Sequence, residues 1–447
     1  MDLKLRLQAR WDDLQASLWF QPALYLLVAL LLGIVNPYLD AITAWRFYSF
    51  GHDNARAVLG VIASSMLTVV TLTFSILMVS FTLASQQFSP RILRNFTRDK
   101  PSQHVLGLQI GTFLYSLLVM VRLNDVGEES FVPLLSVLSA IGFSLAGVSA
   151  FIYFIDHISR TIRVNYIIAN IGDQIVELLH EATPTQLVGY DAPSPVAPRP
   201  DAEAATINAG RAGYVQGIAV ERLVALAQRH DVLLQLACMT GDFVPLGRPL
   251  LRIYPAAGVT PALTTALLNQ FDIGTERTTF QDALFGIRQL VDIAIKALSP
   301  AVNDPTTAMN CLDYLTNILI QAAQCDDGHP QWRDSQGALR LLAGSVSFTA
   351  MVELAFNQIR HYGCGDVLVD TRMIDALAEI AGATADPQRR ALLWRHIGMV
   401  SRNADRTVRD PHERAQINAC LVQAAEQMGY DSTPLFLDHA DASEPRA

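Results

Sequence analysis

The sequence lacks the motifs that would identify an enzyme. It contains no Walker phosphate-binding loop, no GxSxG nucleophile elbow, no HExxH zinc motif and no GxGxxG followed by an acidic residue. His361 and Cys364 share one loop, but no further ligand-type residues cluster with them. We therefore predict that the chain is not an enzyme and that it carries no metal and no cofactor.

Two other scarcities restrict the class of protein. Lysine occurs only three times among 33 basic residues, and the net charge is −9, which argues against a nucleic-acid partner. The five cysteines include no CxxC pair and all follow the apolar first third of the chain, which is typical of reduced thiols in a cytoplasmic domain. They are Cys238, Cys311, Cys325, Cys364 and Cys420.

Long apolar runs are confined to the first 160 residues, in a chain that is 51% hydrophobic. Each run approaches or exceeds the roughly 20 residues that a helix needs to cross a bilayer. The predicted spans are residues 22–42, 58–88, 105–123 and 131–155. The first is too long for a signal-peptide core and lacks a convincing cleavage site, so we predict an uncleaved anchor. Gly107 and Gly111, one turn apart, predict a close-packing face on the third span.

The basic residues near the spans predict the orientation. The N-terminus, the loop after the second span and the end of the fourth span are the basic segments, whereas the loop after the third span is acidic. The positive-inside rule then places both termini in the cytoplasm and the protein in a bacterial inner membrane. Arg91, Arg94 and Arg98 lie on one side of a short helix that we predict to lie at the membrane surface.

A polar stripe runs along the second span. At about 100° per residue, its hydroxyl and amide side chains fall within one narrow arc. The members of the stripe are Ser64, Thr68, Thr71, Ser75, Thr82 and Gln86. One interpretation is close packing between helices, since small polar residues are common at such interfaces. The other is a water-filled path, because hydroxyls also line pores.

The rest of the chain predicts a cytoplasmic α+β domain. We divide the sequence into an amphipathic interfacial lead-in (1–20), a four-span domain (21–160), a helix with a proline-rich linker (161–206), a small β module (207–255), a helical part (256–431) and a flexible tail (432–447). Asp304 precedes Pro305 and is predicted to cap a helix.

The small β module resembles the β-barrel modules of biotinyl and lipoyl carriers. The resemblance is carried by Gly241, Asp242, Val244, Gly247 and the Pro249-Leu250 pair, which match a GD-V-G-PL turn between strands. A carrier needs a lysine on an exposed hairpin, and this chain has none between Lys100 and Lys296. A covalent carrier role is excluded, which leaves a structural or ligand-sensing module.

Three long segments together resemble a bacterial family of predicted inner-membrane proteins of unknown function. They are SQQFSPRILRNFTRD, LGLQIGTFLYSLL and FGIRQLVDIAIKALSPAVNDPTTA. The resemblance extends over nearly the whole chain. It implies a four-helix membrane domain with a large cytoplasmic domain, and it implies no activity.

Two functions remain open from the residues. The first is a homo-oligomeric channel in the lipid bilayer, lined by the second span and favouring cations because Asp125, Glu128 and Glu129 would lie at its outer mouth. The second is a membrane-anchored scaffold or sensor without transport activity, whose cytoplasmic domain binds an unidentified ligand or protein. The absence of a recognisable catalytic site and the size of that domain favour the second.

Overall fold

The computed structural model describes residues 17–43, 51–87, 91, 99–123, 133–182, 204–279, 281–325 and 330–437. The chain divides into two compact units, Met1–Tyr166 and Ile167–Ala447. We call the first the membrane unit and the second the C-terminal unit. Each has buried apolar side chains of its own.

Four helices of the membrane unit are long and apolar enough to cross a bilayer. They are α1 (Phe20–Thr43), α2 (His52–Gln87), α3 (Lys100–Leu123) and α4 (Leu134–Thr161). The prediction of four spans is confirmed. Helix α3 begins at Lys100, earlier than its apolar run, because Asp99 precedes it and accepts a hydrogen bond from the Ser102 N–H at 3.0 Å.

Helices α1 and α3 approach closely where the sequence predicted a packing face. A Cβ added to Gly107 would lie 2.5 Å from Cδ2 of Tyr25, and one added to Gly111 would lie 3.3 Å from the Tyr25 carbonyl oxygen. Larger side chains at these positions would therefore clash. Small residues permit this approach, as they commonly do in membrane helix pairs.

The C-terminal unit is an α+β structure, as predicted. Its helices are α5 (Val164–Ala182, which begins in the membrane unit), α6 (Val220–His230), α7 (Pro261–Leu268), α8 (Ala283–Ala297), α9 (Pro305–Ala323), α10 (Phe348–Tyr362), α11 (Val367–Gly382), α12 (Pro387–Thr407) and α13 (Pro411–Met428). Its strands are β1 (Ala205–Asn208), β2 (Gly213–Ile218), β3 (Leu233–Leu236), β4 (Phe243–Val244), β5 (Pro249–Tyr254), β6 (Phe271–Gly274), β7 (Gln331–Arg333) and β8 (Leu339–Leu342).

The described strands form two open sheets and not a closed barrel. One sheet has the order β1-β5-β3-β8-β7, and the other has the order β4-β2-β6. Strand β3 pairs in parallel with β8, which lies within the stretch predicted to be helical. Gly241 and Gly247 have positive φ angles of 90° and 81°, so the glycines of the carrier-like turn do reverse the chain around β4.

Aspartates begin most of the later helices. Asp304 accepts from the Thr307 N–H at 3.1 Å, as predicted. Four further helices start in the same way, with side-chain oxygens accepting first-turn N–H groups. These caps are Asp282, Asp366, Asp386 and Asp410. Of these five caps, only Asp304 was predicted from the sequence.

Candidate functional site

The polar stripe of α2 faces away from the other spans of its own unit. All six of its members, Ser64, Thr68, Thr71, Ser75, Thr82 and Gln86, are exposed. The stripe is about 60° wide at 100° per residue. From Ser64 to Gln86 it rises about 33 Å at 1.5 Å per residue, which matches a hydrocarbon core of about 30 Å.

Each hydroxyl of the stripe donates its proton to the backbone of its own helix. The acceptors are the carbonyl oxygens of Val61, Ser64, Leu67, Thr71 and Met78, at 3.1, 3.0, 2.9, 2.8 and 2.9 Å for the five hydroxyls in chain order. Such bonds satisfy the donors without a partner helix. The lone pairs of the hydroxyl oxygens remain free to accept, so the stripe presents a row of acceptors.

The opposite face of α2 is packed into the bundle, which fixes the orientation of the stripe. Leu59, Met66 and Leu77 are at most 1% exposed. Thr73, also fully buried, donates to the Val69 carbonyl at 2.8 Å and to Oε1 of Gln109 on α3 at 3.0 Å. Apolar burial and an interhelical hydrogen bond therefore hold the stripe outward.

The orientation of α2 bears on both interpretations of the stripe. Its members make no packing face against the described spans of the same chain, because they are exposed in the bundle. A packing role would require a neighbour other than these spans. Leu67 and Phe74, each 50% exposed, flank the stripe on one side. The packing interpretation therefore places the stripe at an interface with such a neighbour, and the path interpretation places it toward water.

Several predicted site residues lie outside the described residues. These are Arg94, Arg98, Asp125, Glu128 and Glu129. Arg91 is described and is exposed, in agreement with a place at a polar surface. The acidic mouth and the arginine-rich surface helix stay predictions.

A second polar cluster, which the sequence analysis missed, joins α1, α3 and α4. Asp40 accepts from the backbone N–H groups of Leu135 and Ser136 at 2.9 and 3.0 Å, and from the Ser136 hydroxyl at 2.7 Å. Asn36 donates to the Tyr115 hydroxyl at 2.9 Å, and that hydroxyl donates to the Ser136 carbonyl at 3.1 Å. Asp40 thus caps the start of α4, a helix that begins 94 residues later in the sequence.

A signal for this cluster was present in the first span. Asn36 and Asp40 lie one helical turn apart, so both project from one face. Polar residues inside a membrane helix usually face the bundle interior and pair there. That rule predicts their burial, although it does not identify their partners.

We expect Asp40→Ala to destabilise the membrane unit strongly. Removing a helix-capping carboxylate costs about 0.5–2 kcal/mol in water-soluble proteins, and the uncapped Ser136 N–H would be buried, which adds to the loss. Thermal unfolding in detergent measures the effect. Asp53→Ala, which changes an exposed aspartate in the first turn of α2, is the matched control and should shift the midpoint little. Equal shifts for the two variants would contradict a capping role for Asp40.

At the other end of the bundle, a histidine and an aspartate join α4 to the start of α3. Nε2 of His157 lies 2.8 Å from Oδ1 of Asp99, and the ring stacks on Tyr153 at 5.8 Å between centroids. Asp156 pairs instead with Arg160, at 2.8 Å on an exposed surface. The adjacent Asp156 and His157 therefore have different partners, and the geometry is that of a structural link between helices.

Comparison with known proteins gives a family and close relatives in bacteria. Residues 15–379 match a family described as predicted membrane protein (DUF2254). An uncharacterized protein of Mycobacterium tuberculosis is 32% identical over 438 residues, which cover 94% of this chain and 82% of the relative. An uncharacterized protein of Mycobacterium bovis is similar to the same extent, at 32% over 438 residues and with the same coverage. No solved structure matches the chain.

Proposed function

The chain belongs to the DUF2254 family of predicted membrane proteins, and from that premise we propose that it forms a homo-oligomeric channel whose α2 helices line the path. The observation that carries the proposal is the outward stripe. It extends over about 33 Å at 1.5 Å per residue and is held outward by the packed opposite face of α2. A single chain cannot enclose a path along its outer surface, so several copies must surround it.

The exposed surface of α4 differs in chemistry from the stripe, and this difference supports the proposal that the stripe faces water. Helix α4 exposes large apolar side chains, including Leu138, Leu145 and Ile152 at 52%, 70% and 65%. Such side chains suit contact with lipid. A row of five hydroxyls and one amide has less to gain from lipid, and it suits a hydrated wall.

The chemistry of the wall favours cations. Because the stripe hydroxyls already donate to their own backbone, they offer only lone pairs to the path. Oxygen lone pairs can replace the hydration shell of a cation, as carbonyl rings do in selective pores. Asp125, Glu128 and Glu129 at the proposed outer mouth would add negative charge. We propose passive conduction with no catalytic step.

The direct experiment is single-channel recording from purified full-length protein in planar bilayers. We expect discrete conductance steps with a reversal potential that follows the cation gradient. The recordings are interpreted only for preparations in which a mass measurement has confirmed the oligomer. Silence from such oligomers across voltage, membrane tension and pH would contradict the proposal.

We further propose an inner-membrane location with both termini in the cytoplasm, because the basic loops alternate with the acidic one. A reporter fused after Arg163 should therefore be cytoplasmic, and one inserted near Glu128 should be external. Enzymatic reporters active on only one side of the membrane provide the measurement. An external result at Arg163 would overturn the orientation.

A scaffold or sensor without transport activity is the second candidate. It is favoured by the separate compact C-terminal unit, which has its own apolar core of residues from both open sheets. In this function the spans serve as an anchor and the C-terminal unit binds a ligand or protein. It predicts stripe positions that are unreactive toward water-soluble reagents, which separates it from the channel.

A further inference from the structure

The turn between β4 and β5 of the C-terminal unit carries unusually exposed apolar side chains. Leu246, in the turn after β4, is 71% exposed, and Phe243 of β4 is 50% exposed. Leu145 on the membrane-spanning α4 is 70% exposed. Among the described large apolar side chains, Leu246 is thus at least as open as any on the spans. We call residues 243–248 the tip.

Hydrogen bonds and packing contacts hold the tip in place, so this exposure is part of the fold. Val244 is fully buried beneath it. The Gly247 N–H donates to the Ala209 carbonyl at 3.0 Å, and the Ala209 N–H donates to the Arg248 carbonyl at 2.8 Å. Phe243 packs edge-on against Tyr214 with 5.2 Å between the ring centroids. A pre-ordered surface loses little conformational entropy when it binds.

Two arginines border the apolar residues. Arg248 follows Leu246 at the tip, and Arg211 lies in the neighbouring loop that Ala209 joins to the tip; both are exposed. The nearest ion pair of Arg211, with Asp272, is 4.0 Å long and more than half exposed on both sides, so it holds the arginine weakly. Asp242 accepts from the Met239 N–H at 2.9 Å, within its own turn.

We propose that the tip binds the surface of an anionic lipid bilayer, with Phe243 and Leu246 inserted and Arg211 and Arg248 among the headgroups. Apolar side chains beside basic ones are the chemistry of interfacial membrane binding. The charge of the arginines is complementary to anionic lipid. Each basic residue near such a surface strengthens binding by about fivefold.

The connection to the spans makes such binding effective even if it is weak. The C-terminal unit begins at Ile167, and α4 ends at Thr161. A tethered site has a high effective concentration only where its linker can span the distance to its target, so the experiment below tests reach as well as affinity. The inference requires the protein to be in a membrane, and it is independent of whether the protein conducts.

The test uses full-length protein with its native cysteines replaced and a spin label at Leu246→Cys. In vesicles containing phosphatidylglycerol, we expect collisions with oxygen to rise and collisions with a water-soluble nickel complex to fall, relative to detergent. The matched control is a label at Leu368→Cys, on the 51% exposed first turn of α11, which should stay aqueous. Changing Arg211 and Arg248 together to Gln should lower the equilibrium constant for insertion, taken from the fraction of inserted label, by more than tenfold, at about fivefold for each arginine.

Two results would overturn the proposal. One is an aqueous label at 246 in every lipid, identical to the label at 368. The other is a label shielded from both reagents whatever the lipid composition, since that pattern indicates burial against protein, such as a second copy. Because the side chains changed at positions 211, 246 and 248 are exposed, circular dichroism spectra of the variants should match that of the parent.

Discussion

Cysteines placed along the stripe at Thr68, Thr71 and Ser75 are expected to react rapidly with a small water-soluble thiol reagent. The reactive species is the thiolate, which forms in water and is suppressed in an apolar environment. All three positions are exposed on the single chain. In the proposed assembly they face water. Labelling should therefore be fast when the reagent is added on a side of the membrane to which the path is open.

Two controls separate water from lipid and from protein. Leu145→Cys is as exposed in the bundle as any span position, at 70%, but it faces lipid in the proposal and should react slowly. Met66→Cys lies on the packed face of α2, at 1% exposed, and should not react. Exposed Cys364 must first be replaced, since it would label in all variants. If the stripe cysteines react with the reagent as slowly as the cysteine at position 145, the proposal that the stripe lines a water-filled path is contradicted.

A leucine series at the same positions gives the second half of the test. Thr71→Leu and Ser75→Leu should abolish conduction while leaving the oligomer intact, because a pore wall has room for the larger side chains. Thr71→Val, which keeps the shape of threonine and removes the hydroxyl, tests the acceptor oxygen itself. At a tight packing face, overfilling costs about 1–3 kcal/mol. Loss of the oligomer in native mass measurements would therefore favour packing over a path.

The sequence predicts a feature of this protein well when the residues that determine it lie close together along the chain. The four spans follow from local hydropathy, and the Asp304 cap follows from an adjacent Pro305, so both were predicted. The family resemblance is confirmed by the match over residues 15–379. Each of these features is encoded within a few neighbouring residues or in long contiguous segments.

Features that join distant residues were not predicted. Asp40 caps a helix that begins 94 residues later, and nothing in its local pattern identifies Leu135 and Ser136 as partners. Strand β8 pairs with β3 across about a hundred residues, through Leu234 and Leu341. Short apolar strands of this kind have the same composition as buried helix segments. The register is decided by the tertiary structure.

The stripe is an intermediate case. Its angular coherence was evident from the sequence, but its direction was not, because hydroxyls bonded to their own backbone are compatible with both a protein interface and water. The direction is set by residues on the opposite face, above all by Leu59, Met66 and Thr73, which are buried in the bundle. Recognising them requires the neighbouring helices.

Two single variants of the C-terminal unit are expected to change the pH dependence of its stability in opposite directions. Burial raises the pKa of Asp370, on α11, to about 7, with the nearby Asp366 adding to the rise. Its one hydrogen bond, from the Gly365 N–H at 3.4 Å, is too long to offset the burial. Burial lowers the pKa of His396, on α12, to about 4, and the positive charges of Arg395 and Arg360 lower it further.

The signs follow from proton binding in the two states. Between about pH 4 and pH 7, folded Asp370 holds a proton that the unfolded chain has lost, so its contribution to stability falls as the pH rises. Between about pH 4 and pH 6.5, unfolded His396 holds a proton that the folded chain lacks, so its contribution rises with pH. Over the shared range the two slopes cancel. The parent should therefore show a nearly flat profile from these groups up to about pH 6.5.

Asp370→Asn should remove the contribution of the aspartate to the pH dependence and leave that of His396. His396→Gln should remove the contribution of the histidine and leave that of Asp370. In the first variant the free energy of unfolding should rise with pH from 4 to 6.5, and at pH 8 it should exceed that of the parent by about 2–4 kcal/mol, at 1.36 kcal/mol per unit of pKa shift. In the second it should fall as the pH rises from 4 to 7. Denaturant titrations of the full-length protein in detergent, followed by the fluorescence of Trp394, which stacks on Tyr430 at 5.0 Å, report on these helices. The double variant should restore the flat profile. Parallel profiles for the parent and Asp370→Asn would show that Asp370 is ionised in the folded protein, and would require an unseen donor beside its buried oxygen.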